Sequence, residues 1–173
     1  MKKLARLGTL IAMVGTMFSA QAAVLDFATY NGNTYYLLSQ QTWGSAEAEA
    51  NSLGGHLVTI NDAAENAWVT SQWSAGRHLW IGLNDIATEG TYVWSSGEAV
   101  TYTNFAPGEP NNLGDEDVVH IWASNTTWND HQVTLDGVVH GVAEVAGVPA
   151  PGTAAILGLG LIGLASRVRA RRT

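Results

Sequence analysis

Residues 78–85 read His78-Leu79-Trp80-Ile81-Gly82-Leu83-Asn84-Asp85, an almost continuous apolar run that ends in two polar side chains. An apolar run of this length, without polar alternation, predicts a strand that is buried on both faces. The polar pair at its end predicts a turn. We therefore expect a buried strand that leads directly into a polar loop.

Upstream of this strand, the sequence predicts a strand, a helix, a short strand and a second helix. Trp43, Ala46 and Ala50 recur at i, i+3 and i+7, which is the spacing of one helix face. In chain order, the predicted elements are a strand over 34–39, a helix from the cap Thr42 to Gly54-Gly55, a strand over 56–60 and a helix from Asp62 to Gly76.

Downstream, glycine, proline and asparagine interrupt the sequence between residues 90 and 114, which predicts a long loop region. Long loops in compact domains usually carry function. Strands are expected again over 118–122, 126–128 and 138–145. Two early helices followed by strands and loops predict the α+β class with an antiparallel sheet.

The N-terminus has the order of features found in secretory signal peptides. Lys2, Lys3 and Arg6 precede an apolar stretch over 7–18, and Ala20-Gln21-Ala22 has the small residues that signal peptidase accepts. We expect residues 1–22 to be a signal peptide of an exported protein and residues 23–147 to be the folded domain.

The C-terminal residues 148–173 combine a proline-bounded spacer, a short apolar run over 154–165 and an arginine cluster. They resemble PEP-CTERM sorting tails of Gram-negative bacteria, although Pro149-Ala150-Pro151 replaces the usual Pro-Glu-Pro. The resemblance implies transient membrane contact and a sorting transpeptidase of the exosortase type as partner. The alternative is a weak transmembrane anchor, because the apolar run is shorter than the roughly 20 residues of a full span.

Charge is distributed very unevenly along the chain. All 15 acidic residues lie between Asp26 and Glu144, whereas Arg77 is the one basic residue between the leader and the tail. The predicted domain therefore has a formal charge of −14, which excludes nucleic acid as a partner. So many carboxylates favour a hard divalent cation with oxygen ligands. Cysteine is absent, so disulfides do not supplement the core.

A series of short motifs resembles C-type lectin-like domains from about Tyr35 to Glu144. In order, they are Trp43 with Glu47 and Ala50, Leu53-Gly54-Gly55-His56-Leu57, Glu65-Asn66-Ala67-Trp68, Trp80-Ile81-Gly82-Leu83, Trp94 before Gly97, Asn104-Phe105, Glu109-Pro110-Asn111-Asn112, Glu116-Asp117 and Trp128-Asn129-Asp130. Each motif is short, but their joint order and spacing are specific. The resemblance implies an α+β fold with two helices, antiparallel sheets and a long calcium-binding loop region.

The resemblance also implies a calcium ion that holds sugar hydroxyls. The residues that match the family's principal calcium-and-sugar positions are Glu109, Asn111, Glu116, Asn129 and Asp130. With the Asp130 carbonyl they offer six ligands, and two hydroxyls bring the shell to eight, within the roughly 6 to 8 oxygens that calcium takes. The family pattern further implies a cis peptide bond before Pro110.

A second calcium ion is implied at the family's auxiliary positions, which fall on Asp85, Glu89, Asn112, Glu116 and Asp117. The family's two common disulfides would join Ala50 to Ala143 and Val118 to Val133. Here small or branched apolar residues replace the cysteines.

Three functions remain open. The first is calcium-dependent binding of glycan or exopolysaccharide at the cell envelope, cell surface or outside the cell, where Glu109-Pro110-Asn111 resembles the branch that binds mannose, glucose, N-acetylglucosamine and fucose. The second is a calcium-stabilised adhesion or matrix protein without monosaccharide recognition. An enzyme is disfavoured, because the five histidines are scattered along the sequence without zinc-like spacing, as strand or surface residues are, and no serine lies in a nucleophile elbow.

Overall fold

The computed structural model describes residues 23–134 and 138–147. In chain order the elements are β1 (Val24–Tyr30), β2 (Asn33–Gln40), α1 (Trp43–Ser52), β3 (His56–Leu57), α2 (Ala63–Trp73), β4 (His78–Asn84), β5 (Val93–Trp94), β6 (Val118–Ile121), β7 (Trp128–His131) and β8 (Val139–Val145). The two predicted helices, the buried strand over 78–84 and the α+β class are therefore confirmed.

The strands form one sheet in the order β1-β2-β8-β4-β6-β7, with β3 on β8 and β5 on β4. Most pairs are antiparallel, but β4 and β8 are parallel, with Leu79 opposite His140. The expected antiparallel sheet is therefore confirmed in most of its pairs, and one parallel pair is added to it. The pairing joins segments far apart in the chain, and local hydrophobic patterns carry no information on such register.

Both helices begin at the predicted caps, because a side-chain oxygen accepts the first free main-chain N–H groups. Thr42 Oγ1 accepts from the Ser45 N–H at 3.2 Å. Asp62 Oδ1 accepts from the Glu65 N–H at 2.8 Å. These caps fix where each helix meets the sheet.

The central strand β4 is buried on both faces, as its unbroken apolar sequence predicts. Leu79, Ile81 and Leu83 belong to one buried cluster, with Trp94 and Trp128. On the other face, the side chain of Trp80 packs in a second cluster that includes Trp43, Leu57, Ala50 and Ala143. A Cβ on Gly82 would lie 2.6 Å from the Leu57 carbonyl oxygen, so glycine is needed where β3 crosses β4.

The structure corrects several strand boundaries. The hairpin strand β1 and the two-residue β5 were not predicted. Strand β3 ends at Leu57, not at Ile60. Strand β7 covers 128–131 instead of 126–128, because Thr126 has a φ of 64°, a left-handed conformation that interrupts an extended strand.

The two sites that disulfides occupy in the family differ in burial. Ala50 and Ala143 are both buried, in the same apolar cluster. Val118 is buried, but Val133 is exposed. Apolar packing thus replaces the first cross-link, whereas the second has become one buried and one exposed valine.

The expected signal peptide over 1–22 and the sorting tail over 148–173 lie outside the described residues. Among the residues that are described, no helix has both the length and the apolar character needed to cross a membrane.

Candidate functional site

The loop between β5 and β6 is held against β7 by Asp130, whose side chain is fully buried. Asp130 Oδ1 accepts from the Asn111 N–H at 3.2 Å, and Oδ2 accepts from the Asn112 N–H at 2.8 Å. One carboxylate therefore positions two consecutive loop residues next to a rigid strand.

Within the loop, three predicted ligands are linked through the Leu113 N–H and the Asn111 side-chain amide. The Leu113 N–H donates to Asn111 Oδ1 at 2.8 Å and to Glu116 Oε2 at 3.0 Å. Asn111 Nδ2 donates to Glu109 Oε2 at 2.5 Å. The Glu109–Pro110 peptide bond is cis, as the family pattern implied. These hydrogen bonds connect Glu109, Asn111 and Glu116 within the loop.

Asn129 completes this group from β7. Its side-chain amide contacts the carbonyl oxygen of Asp130 and lies 3.4 Å from Nε2 of His120. Asn129 and Glu116 are both buried to more than nine-tenths. Hydrogen bonds thus connect Glu109, Asn111, Glu116 and Asp130, and Asn129 adjoins them through the carbonyl of Asp130. We refer to these five predicted ligands as the primary cluster.

The primary cluster carries unbalanced negative charge. Burial raises the pKa of Glu109, and the neighbouring Asp130 and Glu116 raise it further. Burial also raises the pKa of Glu116, with a contribution from Asp130. Arg77, the sole lysine or arginine among the described residues, lies near Asp26 instead. A bound cation would relieve this repulsion.

A second acidic cluster lies beside the first. Carboxylate oxygens of Glu89, Asp115 and Asp117 lie within 4.8 Å of one another. Asp85 is buried next to them, where Oδ2 accepts from the Gly90 N–H at 2.8 Å while Oδ1 has no hydrogen-bond partner among the described residues. Partial desolvation, together with the neighbouring carboxylates, raises the pKa of Glu89 and of Asp117.

The members of this second cluster differ in part from those predicted. Asn112 Oδ1 accepts from the Glu116 N–H at 2.7 Å, and Glu116 Oε2 bonds Leu113, so both side chains serve the loop and the primary cluster. Asp115 was missed. Its signal was its place in the acidic run Asp115-Glu116-Asp117, but the φ of 73° that turns it toward Glu89 is not visible in a sequence.

The donor atoms of both clusters suit calcium. All are carboxylate, amide or main-chain oxygens, which a hard cation prefers over nitrogen or sulfur. Oδ1 of Asp85 gives the most specific support for a cation. It is a buried carboxylate oxygen without a hydrogen-bond partner among the described residues, which is costly unless a donor or a cation contacts it. These residues therefore fit the calcium ion that the fold implies.

Tyr92 is a further residue of this region that the sequence did not reveal. Its ring packs edge-on against Phe105 at a centroid distance of 5.4 Å. Burial, followed by the charges of Asp130 and Asp85, raises the pKa of its hydroxyl. Tyr92 thus lies between the two acidic clusters as a neutral donor.

Three of the five histidines come together on another part of the sheet, and all three lie in strands, as the sequence led us to expect. The ring centroid of His120 lies 5.1 Å from that of His78 and 5.8 Å from that of His131. Burial lowers the pKa of His120 to about 3, and burial also lowers the pKa of His78. Both imidazoles are therefore neutral at physiological pH.

Two helices against a mixed, mostly antiparallel sheet with a long acidic loop define a C-type lectin fold. The mouse scavenger receptor C-type lectin carbohydrate-recognition domain aligns with a TM-score of 0.65 and 26% identity, over 70% of this chain and 96% of that one. The C-type lectin CEL-I from Cucumaria echinata aligns with a TM-score of 0.64 and 28% identity, over 70% of this chain and 96% of CEL-I.

Sequence comparison makes the relationship specific. Residues 39–135 match the profile of the family described as Lectin C-type domain, and the chain belongs to that family. It is similar to Lectin BRA-3 of Megabalanus rosa, with 36% identity over 130 residues, 70% of this chain and 80% of the relative. It is also similar to the alpha-N-acetylgalactosamine-specific lectin of Patiria pectinifera, with 40% identity over 114 residues, which cover 58% of this chain and 68% of that lectin.

Membership of this family indicates the broad class of function. Its lectin relatives support carbohydrate binding by this domain and imply glycan partners, and proteins of the family are not enzymes. Such domains generally bind calcium, and their proteins are mostly secreted or displayed on surfaces. The prediction that the chain is not an enzyme is confirmed.

Proposed function

We propose that this protein binds sugars through a calcium ion held by the primary cluster, and that it selects vicinal hydroxyls of the mannose, glucose, N-acetylglucosamine or fucose type. The carrying observation is the double hydrogen bond of Asp130 to the loop, at 3.2 and 2.8 Å. It supports a site whose ligands are pre-positioned from two elements, so little ordering remains to be done on binding.

Each residue has a chemical role in this proposal. Calcium, when bound, supplies a positive charge that polarises sugar hydroxyls and attracts their oxygens. The carboxylates of Glu109 and Glu116 can only accept hydrogen bonds, whereas the amides of Asn111 and Asn129 can also donate. Glu109 with Asn111 would hold one hydroxyl as donor and acceptor, and Glu116 with Asn129 would hold its neighbour. Asp130 fixes the loop and offers its carbonyl oxygen.

The proposal is tested by binding of the protein to immobilised mannose with calcium and again with chelator. Retention with calcium and release by chelator are expected. Glu116→Gln removes a charge from the primary cluster and should abolish retention, whereas Glu98→Gln, on an exposed residue outside both clusters, should not. Retention that survives chelator would count against the site. A panel with galactose and N-acetylgalactosamine, the latter suggested by one relative's name, defines the preference.

The second acidic cluster supports a second calcium ion, with Asp85, Glu89, Asp115 and Asp117 as ligands. Titration calorimetry should give two ions for the wild type and one for Asp85→Asn. If Asp85→Asn still binds two ions, the auxiliary site lies elsewhere.

We further propose that the protein is exported by a bacterium and delivered to the cell envelope or beyond. The signal-peptide pattern of 1–22 and the PEP-CTERM-like pattern of 148–173 support this, with an exosortase-type transpeptidase as the partner of the tail. A chain without residues 148–173 should be secreted but no longer sorted. Unchanged location in cell fractions would remove the tail from the proposal.

A further inference from the structure

Strand β1 forms one end of the sheet, and its outer side is open. Within the described part of the chain, β2 is the one strand that pairs with β1. An unpaired strand edge presents main-chain N–H and C=O groups to which another strand can bind. The outer side of β7, at the other end, is occupied, because Phe105 forms a parallel bridge with Trp128 and the Trp128 N–H donates to the Asn104 carbonyl at 2.8 Å.

The hairpin determines which main-chain groups of β1 point outward. Tyr30 is the last strand residue before a two-residue turn, so its main-chain groups point toward β2. Because the direction alternates along an antiparallel strand, those of Ala28 also point toward β2, and those of Thr29 and Phe27 point away from it. In agreement with this, the Phe27 N–H donates to Oδ1 of Asp26 at 2.9 Å, in an exposed hydrogen bond.

The same strand carries apolar side chains that the domain leaves uncovered. Val24, Leu25 and Phe27 are 41%, 53% and 66% exposed. The ring of Phe27 contacts Tyr36 of β2, with ring centroids 6.4 Å apart, whereas Ala28 packs against the core on the other face. Exposed apolar side chains next to unpaired main-chain groups are the properties of a surface that another strand covers.

The charge distribution selects the partner. The domain is strongly acidic, so two copies repel each other over most of their surface, and a basic partner is attracted to the acidic loops instead. Strand β1 has one acidic residue, Asp26, whose Oδ2 accepts from Trp73 Nε1 at 3.0 Å. Arg77, the sole lysine or arginine among the described residues, lies near it. The edge at β1 is therefore close to neutral, and two copies repel each other least there.

We propose that β1 pairs antiparallel with β1 of a second copy of this chain, which covers Val24, Leu25 and Phe27 and joins the two sheets. A strand that pairs with its own copy forms a two-fold contact in which the same groups meet. Because Phe105 occupies the other end of each sheet, the association stops at two copies. This dimer goes beyond the proposed sugar binding and does not depend on it.

The strand order gives the dimer a defined arrangement of its two primary clusters. Each cluster lies at β7 and the adjoining loop, at the opposite end of the sheet from β1. The path from one β7 to the other crosses both sheets, which separates the clusters by about 50 Å along the sheet at about 4.8 Å per strand. Both clusters stay uncovered, so a surface with many glycans can bind the two at once.

Sedimentation velocity on the chain from Ala23 to Thr173 tests the dimer over about 1 to 200 μM protein. The wild type should change from monomer to dimer in this range and form no larger species. Phe27→Lys should raise the dimer dissociation constant by at least about tenfold. Val100→Lys, at an exposed valine outside β1, should leave it unchanged. Both lysines reduce the negative charge equally, so the difference between the two variants measures the contact at β1.

A second variant and a second measurement remain informative if Phe27→Lys does not fold. Thr29→Pro removes an outward N–H that β2 does not use, so it should weaken the dimer while the monomer keeps its Tm. In the wild type, hydrogen exchange at the Thr29 amide should slow as the protein concentration rises. A wild type that stays monomeric, or a dimer that neither variant weakens and whose Thr29 amide exchanges at a constant rate, overturns the proposal. Failure of calcium-dependent sugar binding overturns the proposed function alone.

Discussion

Oδ2 of Asp130 accepts a hydrogen bond from the main-chain N–H of Asn112 at 2.8 Å, across 18 residues of chain. The carboxylate that is proposed to hold calcium is therefore also the structural anchor of the loop. Because one side chain has both roles, loop order and ion binding are coupled. A change that disorders the loop should also weaken calcium binding.

Replacement of Asp130 by asparagine should reveal this coupling. The new amide can present only one oxygen, so one of the N–H groups of Asn111 and Asn112 loses its acceptor in a buried place. We expect a loss of about 1 to 3 kcal/mol in the free energy of unfolding, measured by urea denaturation in chelator so that calcium does not contribute. Calcium binding should be lost as well. Glu98→Gln is the control. Unchanged stability in chelator would show that Asp130 does not hold the loop.

The effect of calcium on stability should depend on pH with a defined sign. Burial raises the pKa of Glu109, Glu116 and Asp117 above the ordinary 4.5, 4.5 and 3.8 in the metal-free fold. Their contribution to stability is therefore complete below the ordinary values and is lost as pH rises through the raised ones. Calcium requires the ionised groups.

It follows that the metal-free domain should gain stability from these groups on acidification, whereas the calcium-loaded domain should lose its ion over the same interval. The difference between the Tm measured in calcium and the Tm measured in chelator should be large near neutral pH. It should shrink towards zero as the pH falls through the raised carboxyl pKa values. Melting curves over a pH series measure this directly. A difference that stays constant down to the ordinary values would contradict carboxylate ligation.

A prediction about the core concerns Tyr35. Its buried hydroxyl lies 2.7 Å from Glu65 Oε1 and 3.0 Å from Glu144 Oε1, and so joins α2 to β8 through β2. Tyr35→Phe leaves these carboxylates without their shared partner and should cost about 1 to 3 kcal/mol of unfolding free energy. Tyr36→Phe, on the opposite face of the same strand, should cost less. Equal losses in urea denaturation would show that the other donors to these carboxylates, from Asn33, Thr59 and Asn61, satisfy them without Tyr35.

Local signals explain what could be predicted of the fold. The caps Thr42 and Asp62 and the unbroken apolar strand β4 act within a few residues, so the sequence reveals them. Strand β1 had a local signal too, because Asn31-Gly32, with φ values of 48° and 89°, is the kind of dipeptide that forms a hairpin turn. The parallel pairing of β4 with β8 had none, since it depends on contacts distant in sequence.

The residues of the site also divide into those that a local motif predicts and those that depend on contacts distant in sequence. The five residues of the primary cluster were predicted because the family motif places them at fixed positions, and hydrogen bonds connect four of them, with Asn129 beside Asp130. Asp115 and Tyr92 join the region through backbone conformation and packing, which no motif encodes. The grouping of His78, His120 and His131 depends on the alignment of β4, β6 and β7, so histidines far apart in the sequence gave no indication of it.

The domain boundary offers another test. Strand β8 ends at Val145, and the Gly147 N–H donates to Asn33 Oδ1 at 3.2 Å, so residues up to 147 contact the fold. A chain of residues 23–147 should be soluble, melt cooperatively and respond to calcium like the longer chain. Ending at Ala146 removes only one exposed hydrogen bond and should lower the Tm slightly. An insoluble 23–147 chain would place the boundary elsewhere.

The order of Glu109 and Asn111 gives the sharpest test of sugar recognition. A hydrogen bond from Asn111 Nδ2 to Glu109 Oε2 joins these side chains, so both can form hydrogen bonds with the same sugar hydroxyl. The double variant Glu109→Gln with Asn111→Asp keeps one carboxylate and one amide but exchanges donor and acceptor sides. Calcium should remain bound, and the preferred hydroxyl geometry should change, with galactose favoured as in family members that carry Gln-Pro-Asp.

The expected size of this change follows from hydrogen bonding. A mismatched donor or acceptor costs about 1 to 3 kcal/mol, and about 1.4 kcal/mol is a tenfold change in affinity. The ratio of mannose to galactose affinity should therefore fall by at least about fivefold, as measured by competition on immobilised mannose and galactose. Wild type with chelator and the single variant Glu109→Gln separate lost calcium from altered selection. If the double variant retains calcium and the ratio is unchanged, these side chains do not select the sugar, and a calcium-stabilised adhesion module becomes the better account.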